Sequence, residues 1–463
     1  MKALQLFLLA VLTVVATGLE TSQGRANDSK EGLGIVHYQP EQVHLAFGER
    51  TASEMVVTWS TRSLPPDLQV GMTTIVEYGL LEASGQSKLS QTARGTATKF
   101  VDGGRKKATQ FIHRVTLRNL KPNSTYVYHC GSSYGWSSVF QFRTVPEASA
   151  DWSPSLAIYG DMGNENAQSL ARLQEETQRG MYDAIIHVGD FAYDMDTSNA
   201  AVGDAYMRQI ESVAAYVPYM VCPGNHEEKY NFSNYRARFN MPGDTDSLWY
   251  SFNLGPVHFV SFSTEVYYFL GYGFKLLTKQ FEWLEQDLAE ANLPENRAKR
   301  PWIVTYGHRP MYCSDEKEYD CNKQLETYIR QGLPMLKWFG LEDLFYKHGV
   351  DVEIFAHEHF YTRLWPIYDF KVYNGSAEAP YTNPKAPIQI ITGSAGCKEE
   401  REPFSKDLPE WNAYHSNDYG YTRLKAHNGT HLYFEQVSDD KDGQIVDSFW
   451  VIKDSHGSYP EVQ

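Results

Sequence analysis

Cysteine, positive charge and long apolar runs are all scarce in this chain. Five cysteines are spread over 463 residues and none forms a C-x2-C pair, which excludes the usual thiolate zinc sites. Lys and Arg number 42 against 57 Asp and Glu, for a net charge of −15. A protein of that sign is a poor match for a nucleic-acid backbone or an anionic membrane surface, so no nucleic-acid partner is expected. Past the amino terminus no apolar run reaches the ~18 residues of a membrane span, so no integral membrane segment is expected. What remains is 42% hydrophobic and 21% charged residues, a globular composition that excludes wholesale disorder.

The first residues read as an address. Met1-Lys2 precedes an apolar core from Leu6 to Val15, followed by Ala16-Thr17-Gly18. This is the pattern of a signal peptide, expected over residues 1–18. Sequons at Asn27, Asn123, Asn231, Asn374 and Asn428 agree with an exported glycoprotein. The end of the chain, Glu461-Val462-Gln463, carries no retention or lipid-anchor signal. Secretion is expected, with a lysosome as the other destination. In an oxidising compartment five cysteines leave one unpaired. Cys313 and Cys321 flank the short polar loop Ser314–Asp320 and are the expected disulfide. Cys222, in an apolar run, reads as a buried thiol, and Cys130 and Cys397 have no assigned partner.

Two textures follow. From residue 34 to 146 short alternating runs, such as Met55–Trp59, Thr74–Tyr78, Phe111–Leu117 and Thr125–Cys130, are separated by Pro65-Pro66, Gly103-Gly104 and Pro122-Asn123. That spacing predicts an antiparallel β-sandwich. Trp59 and the segment Leu120–Tyr126 resemble a fibronectin type III module. The sandwich holds no cluster of titratable groups and reads as a scaffold or lid. From 150 to 455 apolar strands alternate with amphipathic segments. Strands are predicted at 155–159, 184–188, 219–222, 302–306, 350–355 and 387–391. A helix is predicted within Glu165–Arg179, and helix faces at Phe281, Leu284, Leu288 and at Leu341, Leu344, Phe345. The fold class is therefore α/β, a layered β-sheet sandwich flanked by helices, preceded by an all-β sandwich.

Hard-oxygen and imidazole donors stand just past the strand ends. In order these are Gly160-Asp161-Met162-Gly163, then Gly189-Asp190-Phe191-Ala192-Tyr193, Pro223-Gly224-Asn225-His226-Glu227, Gly307-His308-Arg309-Pro310 and Ala356-His357-Glu358-His359. Any one of these has a plain structural explanation, a turn or a surface histidine. Five in succession place their donors in the crevice outside the carboxyl ends of the strands, where open α/β sheets bind ligands.

The set GDMG, GDFAY, GNHE, GH and HEH resembles the metallophosphoesterase superfamily, with its calcineurin-like fold. Tyr193 places the likeness with the purple acid phosphatases, the animal acid phosphatase branch in particular. Ala356 and Thr305 depart from the family's common Gly and Val. The resemblance implies a ferric ion on Asp161, Tyr193 and His359, a divalent ion (Zn, Fe or Mn) on Asn225, His308 and His357, Asp190 bridging, and His226 facing substrate as the catalytic acid. It implies a secreted acid phosphatase that hydrolyses small phosphate monoesters by a metal-activated hydroxide, and a visible colour from the Tyr193 phenolate on iron. Alternatives are a phosphodiesterase or nucleotide pyrophosphatase on the same metals, a redox role for a di-iron form, or an inert secreted binding protein. The oligomeric state, homodimer included, is left open.

Overall fold

Alternating β-branched and aromatic runs pair first. The structure is a computed structural model that describes residues 37–64, 72–82, 85, 88–147, 152–314, 321, 327–334, 337–399, 401 and 403–460. The leader expected at 1–18, the sequon at Asn27, the Pro65-Pro66 turn and residues 315–320 of the polar loop lie outside the described residues. Strands β1 (Glu41–Phe47), β2 (Met55–Thr61), β3 (Ile75–Leu80), β4 (Gln91–Arg94), β5 (Thr96–Val101), β6 (Thr109–Leu117), β7 (Thr125–Ser132) and β8 (Phe140–Arg143) open the chain. They form two antiparallel sheets, β1-β2-β6-β5 and one around β4-β3-β7, where β8 also pairs with β7. Trp59, Val57, Val76, Tyr128 and Phe142 fill the space between them.

Two larger mixed sheets follow. The first contains β9 (Ser155–Tyr159), β10 (Ala184–Val188) and β11 (Tyr219–Cys222), which run parallel. The second contains β12 (Tyr250–Leu254), β13 (Val257–Ser261), β14 (Trp302–Tyr306), β15 (Val352–Phe355), β16 (Tyr361–Leu364), β17 (Ile388–Thr392) and β18 (Asn412–Ser416), ordered β12-β13-β14-β15-β17-β16-β18. The hairpins β19 (Gly420–Asn428), β20 (His431–Ser438) and β21 (Gln444–Ile452) return to the first sheet, giving β11-β10-β9-β19-β20-β21. Ile158, Ile186, Val304, Ile354 and Ile390 share one core between the sheets. On the outside pack α1 (Leu170–Gln178) and α2 (Thr197–Ala214) against one sheet, and α3 (Phe274–Ala291) and α4 (Leu341–Lys347) against the other. Every strand named from the sequence is present within two residues.

Helix α1 starts at Leu170, inside the predicted stretch Glu165–Arg179. The preceding residues are committed elsewhere: Asn166 Nδ2 donates to the Cys397 carbonyl, and the Ser169 N–H donates to the Ala395 carbonyl. The sandwich is also more than a lid. Ala46, Phe47, Val56 and Val145 belong to the core of the α/β part, the Val43 N–H donates to Glu211 at 2.8 Å, and Tyr128 donates to the Ala215 carbonyl at 2.7 Å. Residues 37–463 group as one unit. Cys313 and Cys321 are joined as a disulfide, while Cys130, Cys222 and Cys397 are buried free thiols. Among the described residues no helix is long and apolar enough to cross a membrane.

Candidate metal centre

Parallel strands send their carboxyl ends to one rim, and the five donor segments sit there. Asp161 follows β9, Asp190 and Tyr193 follow β10, Asn225 follows β11, His308 follows β14, and His357 and His359 follow β15. Two groups of donors form. In the first, the Tyr193 hydroxyl lies 2.9 Å from His359 Nε2 and 3.3 Å from Asp161 Oδ1, and His359 Nε2 lies 3.5 Å from Asp161 Oδ1. In the second, His308 Nε2 lies 3.1 Å from Asn225 Oδ1 and 3.2 Å from Asp190 Oδ2. Asp190, His308 and His357 each offer a donor atom within 4.8 Å of the others. His357 Nε2 accepts an Arg309 N–H at 3.1 Å.

The donor chemistry fits metal ions. Two ligand atoms bonded at about 2.0–2.2 Å to one ion stand about 3.0–3.5 Å apart at octahedral to tetrahedral angles. The separations above fall on that edge length. His308 donates its Nδ1 proton to the Val188 carbonyl at 2.8 Å, which leaves Nε2 facing two oxygens. Oxygens and a ring nitrogen directed at one another repel unless a cation lies among them. Protons fill that role in the metal-free protein. Burial works against a charge on His308, but the Asp190 carboxylate outweighs it and lifts the imidazole to about 10. His359 is likewise buried, yet its bonds to Asp161 and Cys397 hold it up at about 12. Burial, and then the Arg309 charge, push His357 well below its ordinary value.

The backbone is bent to achieve this. Asp161, Asp190, Tyr193 and His357 have φ of 56°, 52°, 53° and 71°, left-handed values that cost non-glycine residues on the order of 1–3 kcal/mol each and concentrate at functional sites. Gly224 is needed for a different reason: a Cβ there would lie 2.1 Å from Asp190 Oδ1. The carboxylates are held from behind. Asp161 Oδ2 accepts the His357 N–H at 3.0 Å, and Asp190 Oδ1 accepts the His226 N–H at 3.0 Å. His226 is one-fifth exposed. Its Nδ1 bonds Asp194 at 2.9 Å, and its Nε2 stands 3.9 Å from Asp190 Oδ2. Burial opposes its charge, but the Asp194 bond prevails and raises it to about 9.

All eight residues named from the sequence therefore meet at one rim. Four others escaped that reading. Asp194 supports His226, and Glu399 Oε1 approaches the same ring at 3.9 Å. Arg309 is gripped by Glu265 at 3.1 Å and stacks 4.4 Å over the Tyr268 ring while touching His357. Glu227 accepts the backbone N–H groups of Asp190, Phe191 and Gly224 at 2.9, 3.0 and 2.9 Å. Glu227 and Arg309 stand inside the motifs named from the sequence and Asp194 directly follows one, so these were within reach, whereas nothing local marks Glu399.

Residues 40–144 match the family model described as the purple acid phosphatase N-terminal domain, residues 154–361 the calcineurin-like phosphoesterase model, and residues 386–448 the iron/zinc purple acid phosphatase-like protein C model. The chain is 55% identical to acid phosphatase type 7 of Homo sapiens over 425 residues, 92% of this chain and 93% of that protein. It is 54% identical to acid phosphatase type 7 of Danio rerio over 422 residues, covering 90% and 92%. Among solved structures, the purple acid phosphatase PPD1 from yellow lupin seeds superposes with a TM-score of 0.72 at 24% identity, covering 92% of this chain and 78% of that one.

Proposed function

The chain belongs to the purple acid phosphatase family and is a metal-dependent phosphatase, and from that premise we propose that it cleaves phosphate monoesters in acid at a two-metal centre, in the secretory pathway or outside the cell. In this reading Asp161, Tyr193 and His359 hold a ferric ion, Asn225, His308 and His357 hold a divalent ion, and Asp190 stands between them. The observation that carries the reading is the triangle of Tyr193, His359 and Asp161 donor atoms, with sides of 2.9, 3.3 and 3.5 Å. Bound there, the cations would supply Lewis acidity that neutralises the phosphoryl oxygens and acidifies water.

The protein's own residues set the rest. Three anionic side chains, Asp161, Asp190 and the Tyr193 phenolate, balance part of the ionic charge, so an anionic ester still meets a positive site on an acidic protein. Arg309, held by Glu265 and bonded to His357, adds a fixed positive charge beside the donors. His226 keeps one ring nitrogen on Asp194 and presents the other to the leaving group, where it donates the proton that an alkoxide needs.

Two measurements test this. Purified protein should carry close to two metal ions, show a visible absorption band and turn over p-nitrophenyl phosphate well above its bis ester. Prolonged chelation should abolish the band and the turnover together, and turnover that survives metal loss would sink the reading. Replacing His226 by alanine should slow alkyl phosphates by about 10²–10⁴-fold and p-nitrophenyl phosphate far less, because nitrophenolate leaves without a proton. Equal slowing of both substrates removes His226 from the donor role.

A further inference from the structure

We propose that Cys397 is a positioning residue for His359: its sulfur accepts a hydrogen bond from the imidazole Nδ1–H and so turns Nε2 toward Tyr193 and Asp161. The inference rests on the two-metal reading above. Cys397 Sγ lies 3.4 Å from His359 Nδ1 and 3.1 Å from the Glu399 carbonyl oxygen. A carbonyl only accepts, so the thiol proton goes to Glu399 and a sulfur lone pair is left for the imidazole N–H. The opposite ring nitrogen is then the one turned to the donor group, and it is the nitrogen found 2.9 Å from the Tyr193 hydroxyl.

The sulfur is held in register with the carboxylate it serves. The Cys397 N–H donates at 2.8 Å to the carbonyl of Met162, the residue after Asp161, and Asn166 donates at 2.7 Å to the Cys397 carbonyl. Its φ is 60°, a left-handed conformation that a non-glycine residue keeps only under such constraint. Cys130 and Cys222 are also buried thiols, but Cys130 is packed in the core of the sandwich and Cys222 in that of the α/β layers, where they fill volume.

Metal-bound histidines usually turn their second nitrogen to a carboxylate or carbonyl, and losing that partner costs about 10–100-fold in metal affinity or activity. A thiol accepts more weakly. His359 is therefore a softer donor than one backed by oxygen, and the change should be visible in the iron-phenolate band.

The test compares wild type, Cys397→Ala and Cys397→Ser as full-length holoprotein, reading metal retained through a chelator titration, the position of the visible band, and the melting curve. Expected for Cys397→Ala is loss of one of two ions at about 10–100-fold lower chelator, with the second ion held as in wild type. Cys397→Ser should keep both ions to within tenfold and move the band. If the alanine variant does not fold, the serine variant decides: band and retention both unchanged overturn the inference. It is overturned as well by an alanine variant that matches wild type, or by a folded one that loses both ions together. Wild-type protein that binds no metal would instead overturn the two-metal reading, a separate failure.

Discussion

Asp190→Ala should lower kcat for a phosphate monoester by on the order of 10⁴-fold, about 5 kcal/mol of transition-state stabilisation, without unfolding the chain. Asp190 touches both His308 and the segment that carries His226: Oδ2 lies 3.2 Å from His308 Nε2, and Oδ1 accepts the His226 N–H. Its removal takes one anionic donor from a centre whose work is done by charge, and frees the turn that carries Asn225 and His226. Burial alone would keep its proton on, but His308 beside it outweighs burial and holds it ionised. Asp190→Asn preserves the shape and the oxygen that accepts from His226 while removing the charge. A loss of similar size in both variants, with metal content below two ions and an unaltered far-ultraviolet spectrum, is the expected result. An Asp190→Asn protein with near wild-type turnover would show that this charge is dispensable and that the assignment is wrong.

The second large effect is on stability. Glu227→Ala should destabilise the fold by about 3–6 kcal/mol, measured as a lower urea midpoint at unchanged slope. Glu227 is 3% exposed, and its carboxyl oxygens accept three backbone N–H groups from the turns after β10 and β11. Burial and the charge on Asp190 lift its pKa to about 8, a cost that the three donors partly offset. Alanine removes every acceptor at once. Each stranded buried donor costs about 1–3 kcal/mol, less whatever water recovers. Glu227→Gln retains one carbonyl oxygen, which can accept two of the three bonds, and should lose about half as much. A loss below about 1 kcal/mol for alanine would mean that the two turns hold their shape without it.

The expectations that succeeded were those carried by short-range pattern. The β-branched runs at Ala184–Val188 and Trp302–Tyr306 pair as strands because a two-residue period with both faces apolar admits little else. The residues at the rim were legible because each stands two to five positions beyond a strand. The exact start of α1 was not legible, because only a turn more than 200 residues away claims the hydrogen bonds of Asn166 and Ser169. How closely the sandwich joins the second region was not legible for a related reason: composition changes near residue 146, but Ala46, Phe47 and Val56 find their apolar partners in the second region.

Which donor side chains stand at the rim was determined by the order of the amino acids, since residue identity and distance from a strand end are local properties. Which atoms face each other was not. That Tyr193 and His359, 166 positions apart, share one pole with Asp161, that Arg309 reaches His357, and that a cysteine stands behind His359 all depend on how two sheets stack. Stacking is decided by the summed burial of side chains from every strand, a quantity no single segment contains.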